Sequence, residues 1–415
     1  MVIHHAKRML PGKVKETFRA LKHRNYRLWF IGQSLSLFGT WMQLTALGFL
    51  VFELTHSPAY LGLVGFAGGI PVLLLTPFGG VVADRISRRR ILLATQISMM
   101  MLAFFLAGLT FAGMAEPWHI MILAFLLGIA NAFDAPARQA FVVEMVSRED
   151  LTNAISLNGT MINLALVAGP ALAGIAYAAA GPGWCFVLNA ISFIAVIIAL
   201  LLMRIPSTVR PASRASALAD LREGFNYTRS NSTAVSILAL IAMTSLFGMA
   251  FLTIIPAWAV NILGGDAGTN GLLQAVRGAG ALVVALWVAS HGEIRSKMKL
   301  LALGAAATPL ALIAFASTRS LELSLLFIFI SGGANLVMVN MAFNLLQNVT
   351  SDRFRGRVMG INSLAFFGLQ PIGALWIGLF AEYLSEPSAI LASALLFFLG
   401  IVLVWRLSPA LGRIE

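Results

Sequence analysis

Twelve stretches of this chain are apolar and long enough to cross a bilayer, and no other feature of the sequence limits the possible folds as tightly. A hydrocarbon core needs about 20 apolar residues per helix. The runs fall near 28–53, 60–83, 91–113, 118–137, 154–180, 183–203, 234–262, 268–290, 298–316, 321–346, 358–382 and 387–406. Breakers such as "THSPAY", "GMAEPW", "AAGPGW", "LGGDAGTNG" and "LSEPSA" separate them. Lipid cannot satisfy an open backbone, so the spans must be helical, and the ten-residue alternation of a membrane barrel is absent. The expected fold class is all-α and integral to the membrane, with twelve transmembrane helices. The charged fraction agrees: only 11% of residues are charged against 59% hydrophobic, where a soluble domain carries about 25% charged residues.

The distribution of the 29 lysines and arginines sets the topology. All but two sit before the first span, after the last, or in the alternate loops on the same side. The exceptions are Arg277, inside the eighth span, and Arg319, in a loop on the far side. Positive charge is retained in the cytoplasm during insertion, which predicts cytoplasmic termini in a bacterial-type inner membrane. The net charge of +12 is thereby explained without a nucleic-acid partner, for which the chain offers no polar basic domain. One cysteine, Cys185, excludes an intramolecular disulfide, and six scattered histidines show no metal-ligand spacing. No cleaved signal peptide and no phosphate-binding G-x-x-x-x-G-K-[ST] loop is read, so neither a metal nor a nucleotide cofactor is expected.

The longest polar stretch, 204–233, divides the chain. The expected organisation is a basic segment 1–27, a six-helix half 28–203, a linker 204–233, a second half 234–406 and a tail 407–415. Val14, Phe18 and Leu21 form a helical stripe in "KVKETFRALKHR", either a helix on the inner membrane surface or a plain basic anchor. Leu218, Leu221 and Phe225 predict a short surface helix in the linker. The junctions "VSREDLTNA" and "VTSDRFRGR" occupy matching places in the two halves. Each precedes a span interrupted by glycine and proline, a pattern of pseudo-symmetric transporters.

Between the second and third spans stands "GGVVADRISRRRILL". Gly80, Asp84, Arg85, Arg88 and Arg89 fit G-x-x-x-D-R-x-G-R-R, with Ser87 in place of the second glycine. In this position the pattern resembles that of the major facilitator superfamily, and the likeness extends over nearly the whole chain. "FRALKHRNYRLWFIGQSLSLFGTWM", "DAPARQAFVVEMVSREDLTNAISLN" and "RFRGRVMGI" resemble the enterobactin-exporter-like branch, which includes macrolide efflux proteins. The resemblance implies two pseudo-symmetric six-helix halves. It also implies that Asp84 faces the N-terminus of the eleventh helix, where dipole and free N–H groups favour an anion. Arg88 and an acid at the cytoplasmic end of the fourth helix, placed at Asp134, complete a charge triad when the cytoplasmic side is shut. Gly80 and Arg85 belong to the same gating group.

"AGPALAG" resembles the superfamily's fifth-helix antiporter motif, matching at Gly169, Pro170 and Gly174, with Ala173 in place of the first closing glycine. Proline kinks the helix and glycines permit close packing. The fourth-helix arginine common in antiporters is absent, with Ala124 at its position, and Glu53 lies at the outer end of the first span. The proton enters as coupling ion through the resemblance alone, with Asp134 and Glu144 as candidate carriers.

The implied activity is export of a small organic compound, a drug-like molecule or siderophore, by alternating access, with the chain acting as a monomer rather than as an enzyme. An importer, a lysophospholipid flippase, and a non-transporting receptor or scaffold are the rivals; the last lacks the extramembrane domain it would need. Substrate-binding candidates are Gln33, Trp41, Asn158, Gln274, Arg277, Asn335 and Asn340, the polar or aromatic residues placed near the midplane. Gln43, Asn163 and Asn344 stand behind them. Arg277 is the sharpest, since an intramembrane arginine needs a partner, water or an anionic ligand; a purely structural role remains its alternative.

Overall fold

The computed structural model describes residues 18–204, 217–290 and 296–407. Val14 and the tail beyond Leu407 lie outside these, as do the side chains of Leu218 and Leu221. The described residues form twelve long apolar helices. The first six are α1 (Arg24–Thr55), α2 (Pro58–Arg85), α3 (Arg88–Phe111), α4 (Pro117–Met145), α5 (Leu151–Ala180) and α6 (Pro182–Leu202). A linker helix, Ala217–Ser230, precedes the second set. That set comprises α7 (Ser232–Ile262), α8 (Ala267–Ser290), α9 (Lys297–Ser317), α10 (Leu321–Val349), α11 (Arg355–Tyr383) and α12 (Glu386–Leu407).

Helix starts follow local chemistry. Ser57 caps α2 ahead of Pro58, Asn231 caps α7 and Ser320 caps α10, each side chain accepting a backbone N–H at N3. Two features differ from the expectation. α4 continues to Met145, two turns past 137, so Arg138 belongs to a helix and not to a loop. Charged residues end a hydropathy run but do not end a helix. The seventh span is one path but not one α-helix. It passes through a π turn at Thr244–Gly248, a 3-10 turn at Ala250–Ile254 and a second π turn at Trp258–Ile262. Pro256 supplies no N–H in this segment and breaks the regular ladder.

Packing repeats with a shift of six helices. α2 lies on α4 and α8 on α10; α3 on α4 and α9 on α10; α3 on α6 and α9 on α12; α1 on α5 and α7 on α11. Across the two sets the main seams are α2–α11 and α5–α8, which exchange under the same shift. Lipid offers no hydrophobic drive between helices, so these seams depend on close backbone approach and polar contacts.

The segments entering the two sets are strapped at matching places. Before α1, the segment read as either a surface helix or a plain basic anchor is in its described part a 3-10 turn, Arg19–Lys22, whose Ala20 is fully buried. Asp150, buried at the start of α5, pairs with Arg19 at 2.6 Å and with Lys22 and His23 at 2.7 Å. Before α7, the linker helix takes the same position on the α10–α11 junction. Tyr227 stacks on Phe354, its hydroxyl accepts from Ser351 N at 3.1 Å, and Glu223 pairs with Arg357 at 2.9 Å.

Candidate functional site

The two faces of the bundle differ. On the face away from the termini, the two sets of helices are in contact. Ser57 donates to Glu382 at 2.6 Å, joining α2 to α11. On α8, Asn270 donates to Thr45 O of α1 at 3.5 Å and accepts from Gln274 at 3.1 Å; Thr45 in turn donates to Gln274 at 3.4 Å. An apolar cluster including Met42, Leu50 and Tyr177 of the first set also takes in Ala257 and Ala267 of the second. The α5–α8 seam is a backbone-on-backbone contact: a Cβ added to Gly271 would stand 2.6 Å from Pro170 O and 2.9 Å from Gly174 Cα. Only glycine permits that approach.

On the face bearing the termini, α2 and α11 part, and a cavity of about 880 Å³ lies between α2, α4 and α11. A Cβ at Gly80, Gly356 or Gly360 would meet no heavy atom within 4 Å. The deep wall is apolar, with Val72, Leu73, Leu364 and Phe367; the mouth carries Asp84, Arg85, Arg138, Arg353 and Arg357.

The motif between α2 and α3 frames this mouth. Asp84 ends α2 with its side chain 63% exposed, 3.9 Å from Arg88, and it shares the open cavity with Gly356 at the start of α11. Arg88 is mostly buried; its Nη1 meets Glu144 at 2.7 Å and the Ala140 carbonyl at 3.1 Å. The fourth-helix acid paired with Arg88 is thus Glu144, not Asp134. Arg88 opens α3 and reaches only the last turns of α4, whereas Asp134 lies ten residues earlier, about 15 Å along the helix. Asp134 is 1% exposed and accepts from Thr95 at 2.9 Å and Gln96 at 3.0 Å.

The fifth-helix motif is a packing surface on two sides. Gly169 admits Trp41 of α1, and Pro170 and Gly174 form the close seam against α8. Trp41 is therefore a packing partner of that motif, and Gln274 is part of the α1–α8 contact.

None of the seven substrate candidates lines the cavity at the basic mouth. Four of them nevertheless carry a buried polar atom without a partner among the described residues: Gln33 Oε1, Asn158 Oδ1, Arg277 Nε and Asn335 Nδ2. They lie on α1, α5, α8 and α10. Buried polar atoms are normally satisfied, so each of these four calls for a water, a ligand or a rearranged neighbour. Arg277 forms no ion pair among the described residues and lies against Gly332 of α10. The backbone carbonyl of Asn340 accepts from the Asn344 side chain at 3.0 Å. Arg138, Asn131, Gln139 and Ser363 line the cavity and were missed as site residues. The available signal was the spacing of Asp134 and Arg138, one helical turn apart, with the apolar run "AFVV" continuing beyond them.

Residues 15–411 match the family described as transmembrane secretion effectors of the major facilitator superfamily. The staphyloferrin A transporter of Staphylococcus aureus is 29% identical over 62% of this chain and 65% of its own length. Macrolide efflux protein A of Streptococcus pyogenes is 22% identical, covering 88% of this chain and 91% of that one. The enterobactin exporter of Citrobacter koseri is 26% identical over 86% and 85%. Among solved structures, a peptide transporter of the POT family superimposes with a TM-score of 0.73 at 14% identity, covering 94% of this chain and 95% of that one. The twelve-helix fold, the paired seams and these matches together identify the chain as a member of the transmembrane secretion effector family of the major facilitator superfamily, a multi-pass membrane transporter and not an enzyme.

Proposed function

We propose that the chain exports a small organic compound, a drug-like molecule or a siderophore, across a bacterial-type inner membrane by alternating access. The observation that carries this reading is the pairing of faces: a cavity open between the two sets of helices on the basic face, and inter-set contacts that close the other. The basic face is assigned to the cytoplasm by its lysines and arginines, so both termini are cytoplasmic and cargo enters from inside. The relatives described as exporting enterobactin and effluxing macrolides support the outward direction.

In the opposite state α2 and α11 close on the cytoplasmic side. Asp84 then meets the N-terminus of α11, while the α5–α8 and α1–α8 contacts open. Arg88 and Glu144 hold the α3–α4 corner that presents Asp84. Cargo lies near Gln33, Asn158, Arg277 and Asn335 when the halves enclose it, with Asn340 and Trp41 beside them, and the transporter works as a monomer. Protons are the coupling ion, carried by Asp134 or Glu144. Efflux of labelled compounds from proteoliposomes of purified protein, with and without a pH gradient, tests the reading. Movement no faster than in protein-free vesicles for every compound contradicts it.

A further inference from the structure

Arg138 differs from the other arginines around the cavity. Arg85, Arg353 and Arg357 lie at helix ends or turns, where retention of positive charge on one side accounts for them. Arg138 is inside α4, two turns before its end, and lines the cavity wall. Its Nε lies 3.5 Å from Asp134 Oδ2, one turn back. Asp134 is 1% exposed, and its other oxygen is held by Thr95 at 2.9 Å and Gln96 at 3.0 Å. The Arg138 side chain, by contrast, is 30% exposed. A fixed carboxylate therefore holds the root of the guanidinium from behind. The terminal Nη1–Nη2 edge has no hydrogen bond among the described residues.

Arg88 shows the contrast: its Nη1 is taken by Glu144 and the Ala140 carbonyl, and it does not line the cavity. A guanidinium edge held in this way is a planar fork suited to a carboxylate or phosphate. The surroundings favour an anion as well. The cavity is lined by four arginines, of which Arg357 is paired with Glu223, and by a single acid, Asp84. Low-dielectric walls of one sign concentrate counter-ions. Deeper in, Val72, Leu73, Leu364 and Phe367 offer an apolar wall.

We infer that Arg138, backed by Asp134, is an anion-recognition residue at the cavity entrance, and that the cargo is an amphipathic organic anion. Its carboxylate or phosphate meets the Arg138 fork while its apolar body lies against the deep wall. This rests on the transport reading for the meaning of cargo, but the binding site itself is testable alone.

The test is equilibrium binding to the full-length protein in nanodiscs of neutral lipid, with two probes of one body, 1-naphthylacetate and its neutral amide, 1-naphthylacetamide. Lysophosphatidate as competitor separates a lipid source of the oxyanion from a free organic acid. Wild type is expected to bind the acid at least about tenfold more tightly than the amide, the scale of a charge-assisted hydrogen bond. Arg138→Gln removes that preference, weakening binding of the acid at least about tenfold more than binding of the amide. Arg138→Lys, which keeps the charge but not the fork, reduces the preference severalfold and serves where the Gln variant fails to fold. Equal affinities in wild type, or a preference untouched by either substitution, overturn the inference. Transport of neutral compounds without preference for acids removes the anion inference and leaves the exporter standing. Arg138-dependent acid binding with no transport of any compound does the reverse.

Discussion

Gly271→Ala should shift the molecule away from the state described here. The added Cβ would lie 2.6 Å from Pro170 O and 2.9 Å from Gly174 N and Cα. All three are backbone atoms, so no side chain can rotate away. An ordinary carbon–oxygen approach is about 3.3 Å or more, so α5 and α8 must separate by about 0.7 Å. Overpacking of this kind costs about 1–3 kcal/mol. In the alternate state of the proposed cycle α5 and α8 part on this face, which would relieve the strain. The whole cost is then differential, and the ratio of the two states moves by about 5–150-fold. Distances between spin labels read this directly. Suitable pairs are Arg148 with Asp352 on the basic face and Met114 with Ser317 on the other, on a Cys185→Ala background. The expected result is a shorter distance on the basic face and a longer one on the other. Gly80→Ala is the opposite control, since its Cβ is unopposed in this state but would enter the α2–α11 contact when the basic face closes. Unchanged distances in a well-folded Gly271→Ala protein would refute the claim that the α5–α8 seam closes this face.

Asp84→Asn should insert and fold normally but weaken the basic-face lock, lowering turnover; wild-type turnover with unchanged label distances would contradict this. Proton dependence should run through Asp134 or Glu144, so neutralising both should abolish any stimulation by a pH gradient, and stimulation that survives both changes would remove them as carriers. Arg277→Gln should weaken cargo binding by about 1–3 kcal/mol with little change in thermal midpoint. A lowered midpoint with intact affinity would instead make Arg277 structural.

The helices were legible in the sequence because hydropathy, breakers and the distribution of basic residues are local signals read against a bilayer of fixed thickness. Asp84 and Arg88 were legible as motif positions, but the partner of Arg88 was not. Choosing between Asp134 and Glu144 requires knowing which turn of α4 lies level with the first turn of α3, a relation between helices that spacing within either one does not contain. Arg138 was misplaced for a related reason: a charge that ends an apolar run looks like a loop until a neighbouring cavity wets it. The irregular path of α7 left only Pro256 as a trace, because a π turn depends on packing around it. Polar midplane residues were identifiable as unusual, and four of them carry unpartnered atoms; whether they surround one cargo depends on closure of the halves.

The most direct test of export is accumulation of labelled compounds in inverted membrane vesicles, whose lumen stands in for the outside. A panel of organic acids, siderophores and macrolides, with matched vesicles lacking the protein, should show protein-dependent accumulation of at least one compound, reduced in Asp84→Asn vesicles. Accumulation found only in right-side-out vesicles, or in neither orientation for any compound, would contradict the account.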